Sequence, residues 1–460
     1  MTLMHVPLTL TRRLGEFAST LQYDDLPGDV VHFAKRALVD WSSAALAGSA
    51  EPAAERVRRV IGAIDDAGPG SVLGSPLNTA APWAALANAY ASHLLDYDDV
   101  FNPIETTIHL SSCVWPAVLA VAQLRHLDGR AAIAAYVAGF EVGARVARAA
   151  GPTHYQSAWH VTGTCGHVAA AAAAACALRL SPEAATHALG CSATQGSGLR
   201  EVYGSDTKAL HPGKAAMDGV LAGLLAEAGF TSTDTAIEGE RGLLRAVSQS
   251  PDNTLLVEGL GTHWNLVENG NKLYPTASLT HAPIEAATAA AASGITPAQI
   301  GGVVLRVHPF TATVTALAQP ANGPEARFST PHGVAVALLR GSLGLPDFDD
   351  ATVNDPAIKA MRARITLVAD KDMDKRGCEL ILQLHGGSER RFRVERNKGT
   401  PAAPLTDDEL TAKFNDAATR TLPDADIAAV AARLWRIDGE DDMDGLVRSL
   451  GSAWKATPVH

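Results

Sequence analysis

Cysteine is scarce, aromatics are few, and positive charge is never gathered into a long run; each shortage removes a class of function. The five cysteines, Cys113, Cys165, Cys176, Cys191 and Cys378, form an odd set without close pairs. A disulfide framework is not expected, and without CxxC or HxxxH spacing neither is a zinc site. Aromatic residues make up 5% of the chain, too few to line the carbocation cavity of a terpenoid or prenyl synthase. The formal net charge is −11 and no basic patch stands out, so neither nucleic acid nor a membrane surface is an expected partner. The longest uninterrupted apolar run, Val168–Leu178, is mostly alanine. It falls short of the roughly 18–20 residues that cross a bilayer. Met1–Leu10 lacks the features of a signal peptide, and the chain reads as cytoplasmic. Gly196-Ser197-Gly198 is not a nucleophile elbow, and no GxGxxG follows a strand, so no nicotinamide or flavin cofactor is expected.

What remains is a chain of 460 residues, 47% hydrophobic and 19% charged, enough for two domains. Alanine is concentrated in Ala169–Ala175 and Ala286–Ala292. Small side chains of high helix propensity favour closely packed helices. Apolar residues recur at helical spacing through 28–48, 82–95, 116–124, 130–149, 166–178 and 215–228. After about Asn265 the period changes to two in Gly302–His308, Arg364–Ala369, Cys378–His385 and Arg391–Glu395, which read as half-buried strands. Helical spacing returns after Pro401 and Pro404. The expected fold is mainly α: a large helical domain from 1–265 and 401–460, with a smaller α+β domain, 266–400, inserted as a lid.

Four segments carry residues suited to chemistry. Asp96-Tyr97-Asp98-Asp99 closes a helix and runs toward His109. Carboxylates crowded at a helix C-terminus oppose its dipole and one another, so something must offset them. Alone they fit a solvated cap, a Mg²⁺ ligand set, or groups that orient a lysine or histidine. His160-Val161-Thr162-Gly163-Thr164 precedes the alanine-rich helix, where hydroxyls and backbone N–H groups suit a carboxylate; Thr162 or Thr164 also suits a cap. The Gly204–Ala215 segment is expected to be a loop that aims Lys208, His211 and Lys214 at an anion. It is not a P-loop, since Ala215 stands where Ser or Thr is required. Lys272-Leu273-Tyr274-Pro275 and His281 open the second domain, and taken alone they read as structural.

In this order the four segments resemble the MmgE/PrpD family, which includes 2-methylcitrate dehydratase, cis-aconitate decarboxylase and iminodisuccinate epimerase. Glu325-Ala326-Arg327-Phe328-Ser329 and Pro331 add a weaker match. The resemblance implies a helical domain with an α+β lid, a homodimer, and action on a small di- or tricarboxylate without metal or organic cofactor. It implies a lyase, a hydratase/dehydratase or decarboxylase, with a dicarboxylate isomerase or epimerase as the alternative. It places the catalytic set on Asp96, His109, Lys208 and His160. His281, Lys272, His211, Lys214, Thr162 and His332 would bind substrate. His109-Leu110-Ser111 replaces the family's usual His-Pro-Ser, Val100 stands where the decarboxylase has threonine, and His332 takes the place of a lid tyrosine. Substrate choice would be altered at such positions.

Overall fold

The computed structural model describes residues 8–65, 67–102 and 106–451. They divide into two compact units. Unit 1 comprises Met1–Leu94, Asp98–Asn269 and Asp407–His460; unit 2 comprises Leu95–Tyr97 and Gly270–Thr406. The divisions expected after residues 265 and 400 fall at Asn269 and Thr406, and the grouping of Leu95–Tyr97 with unit 2 was not anticipated.

Unit 1 is helical. Its framework includes α1 (Ala81–Leu94), α2 (Ser111–Arg125), α3 (Gly129–Gln156), α4 (Val161–Ala177) and α5 (Thr207–Glu227). The alanine run of α4 is fully buried, which explains its composition: neighbouring backbones approach too closely for larger side chains. A Cβ on Gly139 of α3 would come within 2.7 Å of the Ala173 Cβ and 2.8 Å of the Ala169 carbonyl. α3 is kinked where Gly151 takes φ 66.

Three helix starts differ from those read from apolar spacing. α2 begins at Ser111 and carries Pro116 inside it. α4 begins at Val161, so Thr162 and Thr164 lie in its first turn and His160 is the N-cap residue. α5 begins at Thr207, so Lys208, His211 and Lys214 stand on a helix, with Pro212 inside it, and not on a loop. The reason is common to all three. Polar or Gly/Pro-containing first turns have no apolar stripe, although proline is tolerated near a helix start.

Unit 2 contains a four-stranded sheet in the order β2-β1-β3-β4: β1 (Ile300–Val307), β2 (Ile365–Ala369), β3 (Cys378–Leu384) and β4 (Glu389–Val394). β1 runs parallel to β2, with Val303 opposite Ile365, and antiparallel to β3, with Leu305 opposite Leu380. Alternation puts Val303, Leu305, Leu380 and Leu382 on one buried face, in one core with Ile284, Ala287 and Val334. Those three come from the helices α6 (His281–Ala292) and α7 (Thr330–Arg340). No helix among the described residues is long and apolar enough to cross a membrane.

Candidate functional site

The last turn of α1 carries His93, which is 1% exposed. Its Nδ1 donates to Asp98 Oδ2 at 2.7 Å, and the Ser112 hydroxyl donates to the same oxygen at 2.7 Å. His109, also buried, has Nδ1 2.6 Å from the Asp99 carbonyl and 3.5 Å from Asp98 Oδ2. A carbonyl only accepts, so His109 carries a proton on Nδ1. The Asp99 carboxylate accepts from the Ser111 hydroxyl and from Asn269 Nδ2 at 2.7 Å. Burial raises its pKa to about 7 and the neighbouring Asp98 and Asp40 add to the shift, against the hydrogen bonds from Ser111 and Asn269.

His160 is held at the start of α4 by its backbone N–H, which donates to the Gly198 carbonyl at 3.0 Å. Its ring stacks on His93 with centroids 5.6 Å apart, meets Tyr203 edge-on at 5.3 Å, and lies Nδ1 to Nδ1 with His211 at 2.9 Å. His93 and His109 are 4.8 Å apart. Four imidazoles therefore form a file, His109–His93–His160–His211. The Lys208 ammonium lies 5.3 Å from the Tyr203 ring, which also faces His160. Burial pushes His160 well below the ordinary histidine range, helped by His93, Lys208, His109 and His211. Burial likewise lowers His211 to about 4, with His93 and Lys208 adding to it. Both rings are neutral near pH 7.

In unit 2, Lys272 and Asp96 form a buried ion pair, and the Lys272 ammonium also donates to the Asp96 carbonyl at 2.9 Å. Asp96 takes the left-handed backbone conformation, φ 52. His281 begins α6 and packs edge-on against Tyr274 at 5.2 Å.

One family model, the MmgE/PrpD N-terminal domain, matches residues 12–256, and the MmgE/PrpD C-terminal domain matches 274–437. The chain belongs to the MmgE/PrpD family. Among its relatives, cis-aconitate decarboxylase of Aspergillus terreus is 30% identical over 291 residues, covering 60% of this chain and 59% of that enzyme. The Aspergillus oryzae cis-aconitate decarboxylase-like protein oryM is 25% identical over 95% of this chain and 96% of its own length. The mouse cis-aconitate decarboxylase is 24% identical over 96% and 93%.

Within this MmgE/PrpD chain the expected site residues separate by unit. His109, His160, Thr162, Lys208 and His211 lie in unit 1; Asp96, Lys272, His281 and His332 lie in unit 2. Thr162 is neither a cap nor an open hydroxyl: its Oγ1 accepts the His109 backbone N–H at 3.1 Å and so ties two site segments together. Lys214 does not extend the cationic group as expected. Its ammonium is paired with Asp218, which also accepts from His167 Nε2 at 3.1 Å. His332 is likewise engaged. It is fully buried, with Nε2 2.8 Å from the Asp347 carbonyl and Nδ1 3.3 Å from Arg362, so both ring nitrogens are engaged inside unit 2.

Sequence reading overlooked His93 and Tyr203 and gave Asp98 no role of its own. The available signal for His93 was a polar ring in an otherwise apolar helix, immediately before the acidic motif. His93, Asp98 and His109 also present three potential metal-ligand atoms within 4.8 Å of one another, a grouping that spacing did not reveal.

Proposed function

We propose that this chain is a lyase that adds, removes or relocates a proton next to a carboxylate of a small di- or tricarboxylate. The file of four histidines ending near Lys208 carries this reading. Dehydration and decarboxylation beside a carboxylate both pass through carbanion-like charge. That charge needs a fixed cation or hydrogen-bond donors, and a group to deliver or remove a proton. Lys208 supplies the cation, and His109 and His160 supply imidazoles whose buried setting suits proton transfer. Asp96, paired with Lys272, and His281 are the further residues that the family resemblance assigns, and they lie in unit 2.

The named relatives favour a tricarboxylate such as cis-aconitate, with loss of CO₂ and protonation of the carbon left behind. The replacements at Leu110 and Val100 leave room for a different acid and for dehydration in its place. The test is a panel of di- and tricarboxylates followed by NMR in D₂O, with and without EDTA. The expected result is either a decarboxylated product whose new C–H carries deuterium, or a dehydrated product that has lost a C–H proton and gained a double bond. Inversion at a stereocentre without a new double bond would replace the lyase by an epimerase. Complete inertness across the panel would sink the proposal.

A further inference from the structure

The His160–His211 contact joins two imidazoles through the same kind of nitrogen. Nδ1 of one faces Nδ1 of the other at 2.9 Å, so one ring donates and the other accepts. The two rings must therefore hold opposite tautomers. Their positions are set from several sides. Gly198, at φ 122, lies flat against His211: a Cβ there would come within 3.1 Å of both its Cγ and its Nδ1. A Cβ on Gly163 would come within 3.1 Å of the His211 Cβ. The same Gly198 holds the His160 backbone through its carbonyl. Gly196-Ser197-Gly198, useless as a nucleophile motif, thus seats both rings. His160 is 2% exposed and fenced by His93 and Tyr203, whereas His211 is only half-buried.

We propose that His211 is a relay that carries protons between solvent and His160, and so acts on the reacting carbon only through His160. The proposal rests on the lyase reading above. In the protonating direction His160 begins as the Nε2–H tautomer and His211 as the Nδ1–H tautomer. The Nε2–H bond of His160 breaks as a C–H bond forms on the carbanionic carbon. The Nδ1 proton of His211 moves to Nδ1 of His160, and water supplies a proton to Nε2 of His211. Both rings end neutral with exchanged tautomers, and water resets the pair once product has left. Neither ring stores charge for long, which fits the burial that keeps both neutral.

The first test needs neither variant nor substrate. Long-range ¹H–¹⁵N spectra of the ¹⁵N-histidine-labelled full chain should show His160 and His211 in opposite tautomers. Two Nε2–H tautomers would overturn the relay. The second test is His211→Ala, which should lower kcat about a hundred-fold, the usual scale of a lost proton transfer, with KM within a few-fold. Added imidazole should restore turnover. N-methylimidazole, which fills the same space but cannot pass a proton through its ring, should not. Equal rescue by both would reduce His211 to a packing role, and no rescue with a raised KM would make it a carboxylate ligand. Either result overturns the proposal. Should no polycarboxylate be turned over at all, the lyase reading fails, and the tautomer spectra still decide the relay wiring.

Discussion

The Lys272 ammonium reaches the backbone carbonyl of Asp96 at 2.9 Å and its carboxylate as well, across 176 positions of sequence. Their side chains are 3% and 8% exposed. Lys272 thus holds in place a residue whose φ of 52 is uncommon outside glycine, and Asp96 neutralises a lysine taken out of water. Breaking one side of a buried pair leaves an uncompensated charge. Lys272→Met is expected to cost about 3–5 kcal/mol in urea unfolding. The double variant Lys272→Met/Asp96→Asn should recover part of the loss. Additive losses would show that the pair is not the source of the effect.

Lys208 is the cation placed beside the histidine file, against Tyr203. Lys208→Met keeps the stem and removes the charge, so the fold should survive while kcat falls about 10²–10³-fold, as when a transition-state donor is lost. A rise in KM with kcat spared would demote Lys208 to substrate binding. Unchanged kinetics on the true substrate would remove it from the site.

Binding of a polyanion should draw protons onto the file at mildly acid pH, below the range in which the relay runs with both rings neutral. Burial lowers His211 to about 4 and holds His160 well below the ordinary histidine range in the free protein, so both are neutral at pH 6–7. A carboxylate held beside them favours the imidazolium and raises those values. Affinity should therefore increase as pH falls through the raised value of the complex and level off above it. Calorimetry at pH 6 in buffers of different ionisation enthalpy should show net proton uptake. Zero uptake would place the substrate's charge away from these rings.

Asp99 moves in the opposite sense. Its pKa is raised by burial from 3.8 to about 7, so between those values the folded protein keeps a proton that the unfolded chain has released. Its contribution to stability is present at low pH and is lost as pH rises through about 7. Asn imitates the protonated acid. Compared with wild type, Asp99→Asn should look worst near pH 5 and best near pH 8. A difference independent of pH would mean that Asp99 is ionised throughout.

The mainly helical character, the strands after Asn265 and the family itself were legible in the sequence, because apolar period and ordered motifs are local properties of the chain. Even so, the first turn of α4 was read as a segment preceding the helix and that of α5 as a loop: their polar residues and Pro212 carry no apolar stripe. Asp96, His109, His160 and Lys208 could be named from motif alone. What each one touches could not. His93 and Asp98 gain their significance from a 2.7 Å bond that spacing does not reveal. His160 meets His211 only because α4 and α5 pack together and Gly198 leaves room for both rings. Conversely, Lys214 and His332 carry the right functional groups, yet Asp218 engages one and Asp347 with Arg362 the other. Residue type and order along the chain set which groups are available for proton transfer. Burial, partner and tautomer depend on contacts between distant segments, and only the packed structure decides them.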